Sequence, residues 1–311
     1  MCPSVTCRGL SPISNVRILI SLKLMNKKLI IISSTLTILG LALSCQSDAA
    51  GRSPEVEMQS AIPSDSIAAN TAPETNIPVI DPKKQALIDA YPDFISEVKE
   101  NLVVFTDGST MEFDDRKEKD FPTRLDNCDI EDMFSIRYCL PDPEPDYLAD
   151  AGRMRSDALF KKMYGNNAGK VQSTLTTVDW FGQKVKFTAI NGAADSLKAV
   201  AKEIAQFPEL KPYLKSSGTF YWRPVRGANR MSAHSYGIAF DIAVDKSDYW
   251  LWKSKNNNEL AKVKYANRIP LKLVEIFQRH GFIWGGAWYH FDTMHFEFRP
   301  EILRYAELTQ P

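Results

Sequence analysis

Short apolar strand patterns, separated by helix patterns, limit the folds open to this chain. In "GIAFDIAV" (237–244) large apolar side chains alternate with Ala239, Asp241 and Ala243, and "MHFEF" (294–298) has the same period of two. Residues 191–207 instead place apolar side chains on one face at helical spacing. The predicted strands and helices do not follow one another in a regular β-α-β order, and the sequence has no glycine-rich phosphate loop. We therefore predict an α+β fold with a small, mostly antiparallel sheet flanked by helices.

The chain before this part predicts an additional N-terminal α/β layer. Residues 82–165 combine helix patterns with a hairpin signal at Asp107-Gly108, and a second hairpin is expected at Phe181-Gly182. We therefore divide the folded part into an accessory N-terminal region, 82–165, and a main domain, 166–311.

The first 81 residues have the composition of a targeting segment and a spacer. Two lysines follow Met25, an apolar run reaches Leu43, and "LALSC" resembles a bacterial lipobox ending at Cys45. We predict that residues 1–45 hold an upstream segment and a lipoprotein signal peptide, and that 46–81 form a disordered tether. The mature protein is then anchored in a membrane through Cys45, facing the periplasm or cell exterior of a bacterium. The alternative is an uncleaved anchor helix.

The net charge indicates which binding partners to expect, and the cysteines indicate how the protein responds to an oxidising compartment. The formal net charge of zero argues against a nucleic-acid-binding protein. Cys128 and Cys139 lie close in sequence, and in an oxidising compartment we expect them to form a disulfide. Two unpaired thiols are the alternative.

Two histidines and an aspartate form a candidate metal site. Asp241 lies on the strand face that carries small residues, where a carboxylate needs a partner or a cation. His234 precedes this strand, and Gly237 permits a sharp turn that brings the imidazole over the same face. His295 projects from the last strand. Two imidazoles and a carboxylate make a three-ligand zinc site with one open position.

The same residues carry a resemblance to a known family. "SAHSYGIAFD" (232–241) and "DTMHFE" (292–297) resemble the zinc peptidases that hydrolyse peptidoglycan stem peptides, the D-alanyl-D-alanine carboxypeptidase and L-alanyl-D-glutamate endopeptidase family, peptidase family M15. That family has a Ser-x-His-x-x-Gly-x-Ala-x-Asp block and a later acidic-x-x-His block. The resemblance is specific over 219–300 and does not explain 82–165.

The resemblance implies a role for each matching residue. His234, Asp241 and His295 are expected to bind zinc, and Asp292 to act as the general base, a position where the family often has glutamate. Glu297 is the first alternative base. The family also uses an arginine to hold the oxygen of the scissile carbonyl. Of the arginines in "FYWRPVRGANR" (220–230) we favour Arg223 over Arg226 and Arg230, because it ends a β-rich run.

Other residues near the motifs have less specific interpretations. His290 is an alternative ligand, and otherwise a contact at the rim of the cleft. His280, in the last turn of a helix, is expected to be structural. Trp284, Trp288 and Tyr289 fit a core or cleft wall better than a sugar platform.

The expected function is zinc-dependent hydrolysis of an amide bond in peptidoglycan peptides by a monomer. The sequence leaves the cleaved bond open between the carboxypeptidase and endopeptidase types. A catalytically inactive zinc-containing lipoprotein that binds peptidoglycan is the main alternative, and a purely structural envelope lipoprotein is a second one.

Overall fold

The computed structural model describes residues 80–254 and 257–310. The predicted signal peptide, the lipid site at Cys45 and the tether up to residue 79 lie outside the described residues. No helix in the described ranges has both the length and the apolar character needed to cross a bilayer.

Helices and strands alternate irregularly along the chain. The helices are α1 (Pro82–Ala90), α2 (Phe121–Asp126), α3 (Asp157–Tyr164), α4 (Ala168–Thr174), α5 (Ala193–Ile204), α6 (Trp250–Lys253), α7 (Leu271–Arg279) and α8 (Pro300–Leu308). The strands are β1 (Ile95–Lys99), β2 (Leu102–Phe105), β3 (Thr110–Glu112), β4 (Leu175–Trp180), β5 (Gln183–Thr188), β6 (Ser216–Gly218), β7 (Ala239–Ile242), β8 (Phe282–Trp284) and β9 (His295–Phe298). Short 3-10 helices lie between them, including Ala233–Tyr236 and Gly285–Ala287.

The strands form three small antiparallel sheets, and the predicted α+β class is confirmed. The largest sheet has the order β6-β7-β9-β8. Strands β1, β2 and β3 form a sheet near the N-terminal side, where the hairpin at Asp107-Gly108 joins β2 to β3. Strands β4 and β5 pair along their whole length across the predicted turn at Phe181-Gly182.

One hydrophobic core holds these elements together. Helix α7 covers the largest sheet, where the Phe277 ring stacks on Phe296 at 4.0 Å between centroids. The Trp180 ring of β4 meets Phe240 of β7 edge to face at 4.8 Å. Helix α1 packs against α8, so buried residues of 82–165 and 166–311 belong to the same core cluster.

Several elements differ from the sequence predictions. Strand β8 and helices α2, α4, α6 and α8 were not anticipated. The β-rich stretch 216–225 is a strand only at Ser216–Gly218, with an isolated bridge between Pro224 and Met231.

The predicted disulfide is wrong. The structure keeps Cys128 and Cys139 as thiols that are not bonded to each other. The Cys128 thiol donates instead to the backbone carbonyl of Asp129, at 3.1 Å. Burial raises the pKa of this thiol well above its ordinary value, which makes it unreactive.

Candidate metal centre

Strand pairing places Asp241 directly beside His295. The two residues are partners in the antiparallel register of β7 and β9, so their side chains lie on the same face. Oδ1 of Asp241 is 2.8 Å from Nδ1 of His295. The side-chain alternation of β7 and that of β9 each place one residue on this face, and the pairing register of the two strands brings those residues into contact.

A glycine turn brings His234 to the same carboxylate. His234 lies in the 3-10 helix Ala233–Tyr236, which ends at Gly237 with φ of +67°. A Cβ at Gly237 would come within 2.5 Å of the Leu175 side chain, so both conformation and space demand glycine. The His234 Nδ1–H donates to the Thr219 carbonyl, and its Nε2 lies 3.2 Å from Oδ2 of Asp241.

His234, Asp241 and His295 therefore form one cluster of potential metal ligands. One ligand atom from each lies within 4.8 Å of the other two. Burial opposes the charge on Asp241, but His234 and His295 hold the pKa of its carboxyl far below the ordinary value. Burial likewise opposes the charge on His295, yet Asp241 and Glu297 raise the pKa of this imidazole to about 10. The cluster is arranged around a carboxylate that stays ionised.

Asp292 differs from the three candidate ligands in the contacts that its carboxyl group makes. Its backbone N–H donates to the Gly285 carbonyl at 2.9 Å, and its own carbonyl accepts from the His295 N–H at 3.1 Å. Among the described residues, its buried Oδ1 has no hydrogen-bond partner. Burial, together with the negative charge of Asp241 and against the positive charge of His295, raises the pKa of Asp292 to about 7. A carboxyl of that pKa is matched to proton transfer near neutral pH.

Arg223 lies on the loop that carries His234 toward the sheet. Its backbone N–H donates to Oγ of Ser235 at 3.0 Å. The guanidinium is exposed, lies 5.8 Å from the Tyr221 ring and donates to the Pro224 carbonyl at 3.3 Å. These contacts are within its own loop rather than with the three candidate ligands, so its catalytic role stays a prediction.

The competing arginines differ in exposure. Arg226 is exposed. Arg230 is buried and forms an ion pair with Asp126, and it also lies 3.5 Å from Glu259. Because its guanidinium is already paired, Arg230 is a poor candidate for holding a substrate oxygen.

In Glu297, the alternative base, both carboxylate oxygens already have partners. It is 1% exposed, and its carboxylate contacts His295, Arg155 and Arg299. Burial alone raises the pKa of this carboxyl, but Arg155, His295 and Arg299 lower it to about 2. A carboxylate held in this way does not take up a proton near neutral pH, which leaves Asp292 as the better candidate.

The structure places His290 in a separate buried cluster. Its ring nitrogen Nδ1 contacts the buried Asp150, and its ring packs against Trp250 at 4.6 Å between centroids. It is 1% exposed, so it is neither in the ligand cluster nor at a rim. The partner Asp150 comes from 140 positions earlier in the chain, a distance at which sequence carries no pairing signal.

His280, Trp284 and Trp288 contact other parts of the protein and are not candidate ligands. His280 follows the last turn of α7 and contacts Oε2 of Glu203 at 2.8 Å. The indole N–H of Trp284 donates to the Thr293 carbonyl at 2.9 Å. Trp288 is buried with its ring 5.7 Å from the His295 ring, which makes it a wall of the site.

Two imidazoles, a carboxylate and an adjacent unpartnered carboxyl define the kind of site found in metal-dependent hydrolases. Residues 226–298 match a peptidase M15 family model described as D-alanyl-D-alanine carboxypeptidase. The resemblance of this part of the chain to the M15 peptidases is thus confirmed. The match includes the three candidate ligands and Asp292 but begins after Arg223.

Comparison of the chain with curated proteins and with solved structures gave no significant match.

Proposed function

We propose that this protein is a zinc-dependent hydrolase of amide bonds in peptidoglycan stem peptides, of the D-Ala-D-Ala carboxypeptidase or L-Ala-D-Glu endopeptidase type. The observation that carries the proposal is the convergence of His234, Asp241 and His295 within 4.8 Å, beside the unpartnered carboxyl oxygen of Asp292. The M15 family match supports the peptidase class.

The donor set fits zinc. Imidazole nitrogen and carboxylate oxygen are ligands that zinc accepts, and three protein ligands leave a position for substrate or water. A calcium or magnesium site would instead be built from oxygen atoms. The hydrogen bond from His234 Nδ1–H to the Thr219 carbonyl also fixes the ring so that Nε2 faces Asp241, which makes Nε2 the nitrogen placed to bind the metal.

The residues around the cluster have complementary tasks in this proposal. Bound zinc would supply Lewis acidity, polarising the scissile carbonyl and lowering the pKa of water. Asp292 accepts a proton from the attacking water and returns it to the leaving amine. Arg223 donates to the carbonyl oxygen as negative charge develops on it. Trp288 limits access of bulk water beside His295.

Zinc analysis and muropeptide analysis test the proposal together. Purified protein should contain one zinc per chain and should release shortened stem peptides from sacculi, with mass spectrometry showing which bond is cut. His234→Ala protein should lose both properties. Zinc binding without cleavage would support the inactive peptidoglycan-binding alternative, and absence of both would favour a structural role.

We also propose that the protein is a bacterial lipoprotein anchored through Cys45. The support is the lysine-led apolar segment that ends in "LALSC". A Cys45→Ser variant should leave the membrane fraction, whereas unchanged partitioning would contradict the lipid anchor.

A further inference from the structure

A buried chain of charged groups lies behind His295. The imidazole contacts Asp241 through Nδ1, and its other nitrogen, Nε2, lies 2.9 Å from Oε1 of Glu297. The same oxygen accepts from Nη1 of Arg155 at 2.9 Å. The second oxygen, Oε2, accepts from Nη1 of Arg299 at 3.2 Å.

The two arginines are themselves held in place. Both donate to the backbone carbonyl of Gly152, Arg299 at 2.7 Å and Arg155 at 3.4 Å. Gly152 has φ of +91°, and a Cβ there would come within 2.3 Å of the Ile283 side chain. Arg155 and Gly152 belong to the N-terminal region 82–165, which the family match does not cover. The N-terminal region therefore contacts the candidate metal centre through Arg155, which binds Glu297, the partner of His295.

The arrangement determines which nitrogen of His295 faces the candidate ligands. Nδ1 faces Asp241, which is one of them. Nε2 faces the Glu297 carboxylate, which Arg155 and Arg299 hold outside the ligand set, and a carboxylate of this kind accepts a hydrogen bond from the ring. Because Nε2 is engaged on the far side, Nδ1 is the nitrogen placed to bind the metal.

We infer that Glu297 is a positioning residue, held by Arg155 of the N-terminal region, that orients His295 so that it offers Nδ1 to the metal. The inference rests on the zinc site of the proposed function. It assigns to the N-terminal region a direct part in preparing that site.

The first test reads the His295 ring directly. Nitrogen-15 NMR of histidine-labelled protein resolves ring nitrogens, and the chain has only four histidines. His295→Gln identifies the signals of this ring. We expect Nε2 of His295 to carry a hydrogen in metal-free protein and in protein loaded with zinc alone, with Nδ1 shifted by zinc. Zinc on Nε2, or a hydrogen on Nδ1 of the loaded protein, would overturn the inference.

The second test measures zinc affinity by competition with a chelator. Glu297→Gln has nearly the same shape but lacks the charge, and its amide can donate to Nε2. We expect zinc affinity to fall about 10- to 100-fold, as for other residues that orient metal ligands. Arg155→Met should show a smaller loss in the same direction, with Arg155→Lys recovering part of it. Unchanged affinity in Glu297→Gln would contradict the positioning role.

Glu203 provides a matched control. It contacts the Nε2 atom of His280 at 2.8 Å and also pairs with Arg279, so it repeats the same type of contact outside the ligand cluster. Glu203→Gln should change thermal stability but leave zinc affinity unchanged. An equal loss of affinity in both variants would show a general loss of structure and overturn the inference.

The outcomes separate this inference from the proposed function. Wild-type protein that binds zinc through Nδ1 but cleaves no peptide contradicts the proposed function alone. Protein that cleaves peptides with His295 bound through Nε2 contradicts the inference alone. If Glu297→Gln does not fold, the NMR measurement on wild-type protein still decides the question.

Discussion

Asp292 differs from the neighbouring carboxylates because nothing in the described structure holds its buried oxygen. Asp241 is paired with two imidazoles, and Glu297 with an imidazole and two guanidinium groups. A paired carboxylate has its charge neutralised, whereas one without a partner is available for proton transfer. This contrast yields the first prediction.

Asp292→Asn should retain the fold and the bound zinc while losing most activity. Removing a general base costs about 10²- to 10⁴-fold in rate. Elemental analysis and peptide cleavage measure the two properties separately. Asp241→Asn is the comparison, since loss of a ligand should reduce zinc content and activity together. Cleavage at the wild-type rate by Asp292→Asn would remove this residue from the mechanism.

Gly237 supports a prediction about stability. Gly237→Ala should destabilise the protein for two reasons, the positive φ of +67° and the overlap with Leu175. The left-handed conformation costs an L-residue about 1–2 kcal/mol, and overpacking adds about 1–3 kcal/mol. Urea unfolding gives the change in the free energy of unfolding.

Gly182 is the matched control for this substitution. It has φ of +82°, but a Cβ there meets nothing within 4 Å. Gly182→Ala should therefore show only the conformational cost. Equal losses in the two variants would mean that Leu175 moves away without penalty.

At the scale of elements, an ion pair joins α5 to α7 and makes stability depend on pH. Burial raises the pKa of Glu203, but Arg279 and His280 outweigh it and lower the pKa below its ordinary value of 4.5. The stabilisation is therefore fully present above about pH 4.5 and is lost as the pH falls through the folded-state pKa.

Glu203→Gln should lower the free energy of unfolding by about 1–2 kcal/mol at pH 7. The difference from wild type should shrink below about pH 4.5, where the wild-type carboxyl takes up its proton. Denaturant titrations across this range measure the difference. A gap that stays constant at low pH would show that the charge of Glu203 contributes nothing.

At the scale of the whole molecule, buried polar contacts tie the N-terminal region to the rest of the chain. The Tyr91 hydroxyl donates to Glu301 at 2.7 Å, and Asp150 and Arg155 contact His290 and Glu297. Removing one partner leaves a buried charge without compensation, which costs several kcal/mol. Helix α8 would also lose the apolar surface that α1 covers.

A fragment of residues 166–311 should therefore fail to fold by itself. The expected result is a far-UV circular dichroism spectrum with little helix and no cooperative urea transition. A fragment of residues 80–311 is the control and should unfold in one transition. Cooperative unfolding of the shorter fragment would show that the family-matched part is independent of the N-terminal region.

The sequence by itself determined the features that depend on near neighbours. The alternation in β7 and β9, the hairpin turns and the helix faces each need only a few consecutive residues. The pattern around His234, Asp241 and His295 belongs to this group, because each block carries its own strand and turn signals. The N-terminal pattern around Cys45 lies outside the described residues and stays a prediction.

Only the tertiary structure decided which distant residues meet. Arg155 lies 142 positions from Glu297, and Asp150 lies 140 positions from His290, and no local period records such pairs. The disulfide prediction failed for the same reason, since nearness of Cys128 and Cys139 in sequence does not fix their side chains side by side. Local propensities act within a turn or a strand, whereas contacts between distant segments follow from how the whole core packs.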